Sequence, residues 1–268
     1  SLPSNITSNC IPSCDSTKVA LQHQFRNYAQ SFEERVVKIQ TTSGYGTGFI
    51  IGDHLIATAA HVVYSRIDHT GIVSPQSSRF VVSNIIAHKF DSNHNKTTTN
   101  LTVNSIHIPD KFVNPLVRST TDPEQDDVVK YDYALICVQQ SLQSVMGYDK
   151  YEFGLFLDGV PTISNNGTTS ALDVEITGFP GLSGFPDNLV SSAGKLDNYS
   201  LNHYAAIMQC NAGASGSPCY IHHSTYSNTS PQTVFGILTG GVNSYHGGTI
   251  ATRPFLQFYF NNPYTVAS

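Results

Sequence analysis

Gly213-Ala214-Ser215-Gly216-Ser217-Pro218 is the stretch on which the reading of this 268-residue chain turns. A serine set between glycines and closed by proline holds backbone N–H groups convergent on its own hydroxyl, because glycine tolerates the backbone angles that so tight a loop demands. Taken alone, the six residues also read as a plain glycine-rich turn. Working upstream, Tyr131-Asp132-Tyr133-Ala134-Leu135-Ile136 places a carboxylate directly before an apolar strand, where its charge must be paired or hydrogen-bonded. Thr58-Ala59-Ala60-His61-Val62-Val63 sets a histidine just after a buried strand, among alanines small enough to let other groups close around an imidazole. Separately, Asp132 reads as a strand-start turn residue and His61 as one of eleven ordinary histidines.

Their order says more than any one of them. Nucleophilic catalysis by serine needs a base to take the hydroxyl proton, an acid group to orient that base, and donors for the developing oxyanion. His61, Asp132 and Ser215 follow one another at separations of 71 and 83 residues, the histidine–aspartate–serine order of chymotrypsin-like double barrels. An α/β-hydrolase would need G-x-S-x-G on a strand-to-helix elbow, with serine before aspartate before histidine.

Composition narrows the remaining classes. With 40% hydrophobic residues against 12% charged, the chain has the apolar content to fold, which excludes disorder. Fourteen Lys and Arg against nineteen Asp and Glu give a net charge of −5 with no basic run, so no nucleic-acid partner is expected. No membrane span is expected either, because the apolar runs Gly48–Gly52 and Leu55–Ala60 are separated by Asp53 and His54. Cys10, Cys14, Cys137, Cys210 and Cys219 make an odd count, too few for a disulfide scaffold, with at least one thiol left over. Sequons begin at Asn5, Asn95, Asn100, Asn166, Asn198 and Asn228 and point to an N-glycosylated, secreted protein. No signal peptide precedes Ser1, so the sequence reads as an already trimmed chain or one shown without its leader.

The strand grammar is all-β. Residues 1–16 read as an irregular arm, and Lys18 to Glu34 as a segment near a helical period without a cap, together an N-terminal arm over 1–35. Short β-branched and aromatic runs follow at Val36–Gln40, Gly48–Ile51, His54–Thr58, Arg79–Ile86 and Tyr133–Val138, then at Val174–Gly178, Ala205–Gln209, Pro218–Ile221, Val234–Leu238 and Thr249–Thr252. The division expected is one β-barrel over 36–150 carrying His61 and Asp132, and a second over 151–268 carrying Ser215. A single sandwich is the alternative on composition alone.

From about Val36 to Arg253 the chain resembles trypsin-like serine proteases of the glutamyl endopeptidase branch. The resemblance lies in Gly46-Thr47-Gly48-Phe49-Ile50-Ile51 with Leu55 to His61, in Tyr131 to Leu135, in Ile176-Thr177-Gly178-Phe179-Pro180-Gly181, in Gly213 to Pro218, and in Gly236 to Val242. It implies two perpendicular six-stranded barrels with the active site in the cleft between them. Ser215 would be the nucleophile, His61 the base and then the acid, and Asp132 the group that orients it. The N–H groups of Gly213 and Ser215 would form the oxyanion hole. Neither a metal nor an organic cofactor is needed, and His222-His223 reads as a surface loop. The partners implied are a polypeptide substrate and a proteinaceous inhibitor, acting on a monomer.

Departures from the family shape the specificity expected. The substrate site would be walled by Gln209, Leu238, Thr239, Gly240, Gly241 and His246. Leu238 stands where glutamyl endopeptidases have a histidine, and the pocket segments carry no charged carboxylate or cation, so a neutral residue before the scissile bond is expected. The alternative is that Leu238 lies in the core while His246 restores an acidic preference. Ala214 stands where trypsin-type enzymes carry an aspartate that receives the new N-terminus. Cys210 and Cys219 bracket the nucleophile loop, as a local disulfide or as two buried thiols. A catalytically inactive homologue that binds polypeptide in the same cleft is the reading from another class.

Overall fold

The structure, a computed structural model, describes residues 19–22, 35–42, 44–65, 80–91, 93, 95–115, 127–147, 154–155, 173–179, 190–199, 203–207, 213–221, 233–242 and 245–250. In chain order its strands are β1 (Val19–Gln22), β2 (Val36–Thr41), β3 (Tyr45–Gly52), β4 (Leu55–Thr58), β5 (Val82–Phe90), β6 (Lys96–Leu101), β7 (Val103–His107) and β8 (Ala134–Val138). They continue as β9 (Gly154–Leu155), β10 (Asp173–Gly178), β11 (Val190–Tyr199), β12 (His203–Ile207), β13 (Pro218–Ile221), β14 (Thr233–Val242) and β15 (Tyr245–Ile250).

Two sheets result, and each curls into a barrel. The first runs β6-β5-β2-β3-β4-β8-β7. Its end strands β6 and β7 are separated in sequence only by Thr102, so they are two limbs of one bent strand and the ring closes on six. Gln140 holds that corner: its Oε1 accepts the Thr102 N–H at 2.8 Å and its Nε2 donates to Thr102 Oγ1 at 3.1 Å. In the second sheet β11 pairs both β10 and β12, so the path β11-β10-β13-β14-β15-β12 also closes on six strands. Here β1 is an added strand along β11, and β9 pairs β14 in parallel. This is the all-β double barrel that the motifs imply.

Burial explains why these segments hold. Val36, Val37, Ile39, Phe49, Ile50 and Ile56 are fully buried, each such side chain contributing about 1.5–3 kcal/mol over an exposed one. In the second barrel Tyr204 and Phe235 pack edge to face, 5.6 Å between ring centres. One continuous apolar cluster runs through the first barrel and takes in Phe179, Tyr220, Val234 and Ile237 of the second. The barrels therefore meet on a shared core, and the segments that carry the three motifs lie along that seam.

Several expectations need correction. Val19–Gln22, within the segment read as near-helical, is a strand paired with Gln22 opposite Val190 and Val19 opposite Ala193. A neighbour strand satisfied its backbone, and a short uncapped apolar period could not compete. Of the strand expected at Arg79–Ile86, Val82–Ile86 lies in β5 and Phe80 is only bridged to Tyr64; of that expected at Thr249–Thr252, Thr249 and Ile250 end β15, which begins earlier, at Tyr245, while residues 79, 251 and 252 lie outside the described residues. Lys96–Leu101, Val103–His107 and Val190–Tyr199 went unread; Lys96–Leu101 is polar up to its last residue and exposed or half-buried except at Leu101, with no buried alternation to reveal it. The irregular arm over 1–16, the His222-His223 loop, Cys10, Cys14 and Cys210 lie outside the described residues.

Candidate active site

The register of one strand pair brings the first two motifs together. Thr58, the last residue of β4, lies opposite Ala134, the first of β8. His61 follows three residues after Thr58 and Asp132 precedes Ala134 by two, so both emerge at the same end of the pair. Ala59 and Ala60 are fully buried, and the chain turns through one helical turn, Ala60–Val63, closed by Tyr64 N–H donating to the Ala60 carbonyl at 3.0 Å.

Asp132 grips His61 with both oxygens. Its Oδ1 accepts the His61 backbone N–H at 2.9 Å, and its Oδ2 lies 2.7 Å from His61 Nδ1. A carboxylate can only accept there, so Nδ1 carries the proton and Nε2 keeps its lone pair. The Asp132 side chain is 9% exposed and that of His61 39%, which leaves the far side of the ring open. Burial works against protonation of His61, but the charge of Asp132 and its hydrogen bond outweigh it and raise the imidazole above its ordinary pKa of 6.5.

The third motif belongs to the other barrel yet packs on the first. Gly213 and Gly216 take φ values of +100° and +90°, backbone geometry that a side chain would strain. A Cβ on Gly216 would also stand 2.0 Å from the Thr47 carbonyl oxygen, and one on Gly213 2.5 Å from that of Phe179. Between them Ser215, half-buried, has its carbonyl held by the Thr47 N–H at 2.9 Å. Gly216 N–H donates to the Leu238 carbonyl at 2.7 Å, and Leu238 N–H returns a bond to Ser217 at 2.9 Å. Thr58 Oγ1 donates to the Thr47 carbonyl at 2.7 Å, which ties the nucleophile loop's support to the strand leading into His61.

Not every expected site residue faces a cleft. Leu238 is 1% exposed with its N–H and carbonyl both engaged by the nucleophile loop, so its side chain belongs to the core. Thr239 is half-buried, and Gly240 is exposed, with open space where a Cβ would stand. Gly241 and His246 are paired across β14 and β15, and Gln209 lies outside the described residues. Cys219 is a fully buried thiol and not half of a disulfide, which decides, for Cys219, between the two readings of the Cys210 and Cys219 bracket. Burial, with the charge of Glu175 adding and a hydrogen bond to Tyr204 opposing, pushes its pKa up to about 12 and keeps it from competing as a nucleophile. The hydroxyls of Thr47, Thr58 and Ser217 went unread as site residues; the one signal for Thr47 was its place between two glycines on a strand, which marks another backbone coming close.

Comparison with known proteins agrees with this architecture. The sequence model of the trypsin family matches residues 24–153. A solved structure of a Glu endopeptidase in complex with MPD is 18% identical, covering 91% of this chain and 95% of its own, with a TM-score of 0.61. The protease Anisep from Arthrobacter nicotinovorans is 15% identical over 84% of this chain and 94% of its own, TM-score 0.54. A mutant of human heparin binding protein is 13% identical over 87% and 94%, TM-score 0.53. None of the curated protein sequences matches the chain. At these identities the structural likeness is one of fold, and a fold shared with a heparin binding protein leaves activity to be argued from the site.

Proposed function

Starting from a chain with the double-barrel fold of trypsin-like serine proteases, we propose that it is a serine endopeptidase in which Ser215, His61 and Asp132 hydrolyse peptide bonds through an acyl-enzyme. The observation that carries this reading is the doubly bonded Asp132–His61 pair, with Nδ1 protonated and Nε2 open. In the first step Ser215 Oγ attacks the scissile carbonyl and its proton passes to His61 Nε2. Asp132 stabilises the imidazolium, and the N–H groups of Gly213 and Ser215 receive the oxyanion. The imidazolium then protonates the departing amine, and the same base activates water to release the acid. Polypeptide substrates follow from the family.

The finer parts of the reading rest on narrower support. A neutral residue before the scissile bond is favoured because the segments expected to wall the pocket carry no Asp, Glu, Lys or Arg; with Leu238 in the core, His246 is the residue through which an acidic preference would return. Secretion with N-glycans is favoured by the sequons, of which those at Asn95 and Asn100 lie on exposed positions beside and within β6. Ser215→Ala is the test of the whole. The variant keeps the wild-type melting temperature and loses about a million-fold in peptide hydrolysis together with all phosphonylation by a fluorophosphonate. A variant that retains a tenth of the activity, or that is still labelled stoichiometrically, overturns the assignment.

A further inference from the structure

Three consecutive carbonyls of the nucleophile loop are each held by a named donor. Thr47 Oγ1–H donates to the Gly213 carbonyl at 2.8 Å. The Ala214 carbonyl receives two bonds from Ser217, from N–H at 3.0 Å and from Oγ–H at 2.5 Å. Thr47 N–H holds the Ser215 carbonyl. Thr47 Oγ1 in turn accepts the Phe179 N–H at 3.0 Å, so its proton and one lone pair are both engaged and its direction is fixed. Thr47 and Ser217 are both 0% exposed, and neither touches the reacting atoms in the mechanism above.

A planar trans peptide points its N–H opposite its carbonyl. Fixing the Ala214 carbonyl on Ser217 therefore aims the Ser215 N–H, one of the two oxyanion donors, to the other side of the loop. Fixing the Gly213 carbonyl on Thr47 limits rotation at the residue that supplies the other donor. Ala214 is 3% exposed and carries no charge to take part in an ion pair. Among the described residues the carbonyls of the loop are thus held by neutral hydroxyls together with backbone N–H groups.

We infer that Thr47 and Ser217 are positioning residues that preset the oxyanion donors, making the loop competent through two buried hydroxyls rather than through a charged partner. This rests on the serine endopeptidase reading. It assigns Thr47 the larger part, because it joins Gly213 and Phe179 of the second barrel to β3 of the first.

The test is steady-state hydrolysis of one peptide substrate alongside the rate of phosphonylation by a fluorophosphonate, whose phosphoryl oxygen occupies the same donors. Thr47→Val keeps the shape and removes the hydroxyl; Ser217→Ala removes the other hydroxyl and adds nothing, which covers the case in which the Thr47 variant folds poorly. Each lowers kcat per titrated site by about ten- to a hundredfold, with KM within about twofold and the acid limb of the pH profile unmoved. Phosphonylation slows in proportion, and Thr47→Ser recovers most of the rate. Full per-site kcat in both variants, or a loss that appears only as fewer titratable sites, overturns the inference while wild-type labelling leaves the endopeptidase reading standing. Absence of labelling in the wild type overturns both.

Discussion

The His61–Asp132 pair and the Ser215 loop are built in opposite ways. The pair is set within one barrel: β4 and β8 are in register, and the two residues at their ends meet through two short hydrogen bonds. The loop belongs to the second barrel but draws its support from the first, through Thr47, and from β14, through Leu238. A defect confined to Asp132, just ahead of β8, should therefore spoil the base and leave the loop formed, whereas a defect at the contact between Thr47 and the loop should spoil the loop and leave the base. Such a division lets each half of the site be damaged alone, and that is the property the next measurements exploit.

The largest effect expected on the pair comes from Asp132→Asn. The amide keeps an oxygen for the His61 N–H but turns an NH₂ toward Nδ1, which favours the tautomer with Nε2 protonated and unable to accept the serine proton. Turnover falls by about 10⁴, while the melting temperature stays close to wild type. Comparable turnover in the variant would break the comparison at its first half.

On the loop side, Gly216→Ala forces a side chain into the left-handed region and into the Thr47 carbonyl. The backbone strain alone costs about 1–2 kcal/mol, so the melting temperature drops, and activity falls by about a hundredfold or more. The His61 titration, followed by NMR, should be unmoved in this variant. A large shift there would mean that the two halves are not separable.

The smallest effect is the pH dependence of the pair. Below its raised pKa His61 is protonated and cannot act as base, so kcat/KM falls about tenfold for each unit of acidification beneath a midpoint above 6.5. The contribution of His61 to stability runs the other way: it is fully present below the unfolded pKa and is lost as pH rises through the folded one. Melting temperatures of wild type and His61→Ala across pH 5 to 9 should show that difference shrink on the alkaline side. A profile flat from pH 5 to 8 would remove His61 from the role of base.

Sequence alone determined what depends on residue type and order. Glycines at 213 and 216, a serine between them, and a histidine and an aspartate at strand ends are chemical requirements written locally, since only glycine suits those φ values and only a paired carboxylate tolerates that burial. The all-β class was legible through short β-branched runs and turn residues, whereas the double barrel followed only from the order of the three motifs and the family resemblance they carry. What only the tertiary structure decided depends on which distant surfaces touch. Thr47 reaches a carbonyl 166 residues away and an N–H 132 residues away, and nothing in its own neighbourhood specifies either partner. Val19–Gln22 became a strand because an edge of β11 was there to receive it, Leu238 entered the core because β14 packs behind the loop, and Cys219 stayed a thiol inside a closed barrel. Local sequence sets backbone preference and charge over a few residues, but partners this far apart are chosen only when both barrels have closed and their shared core has excluded water.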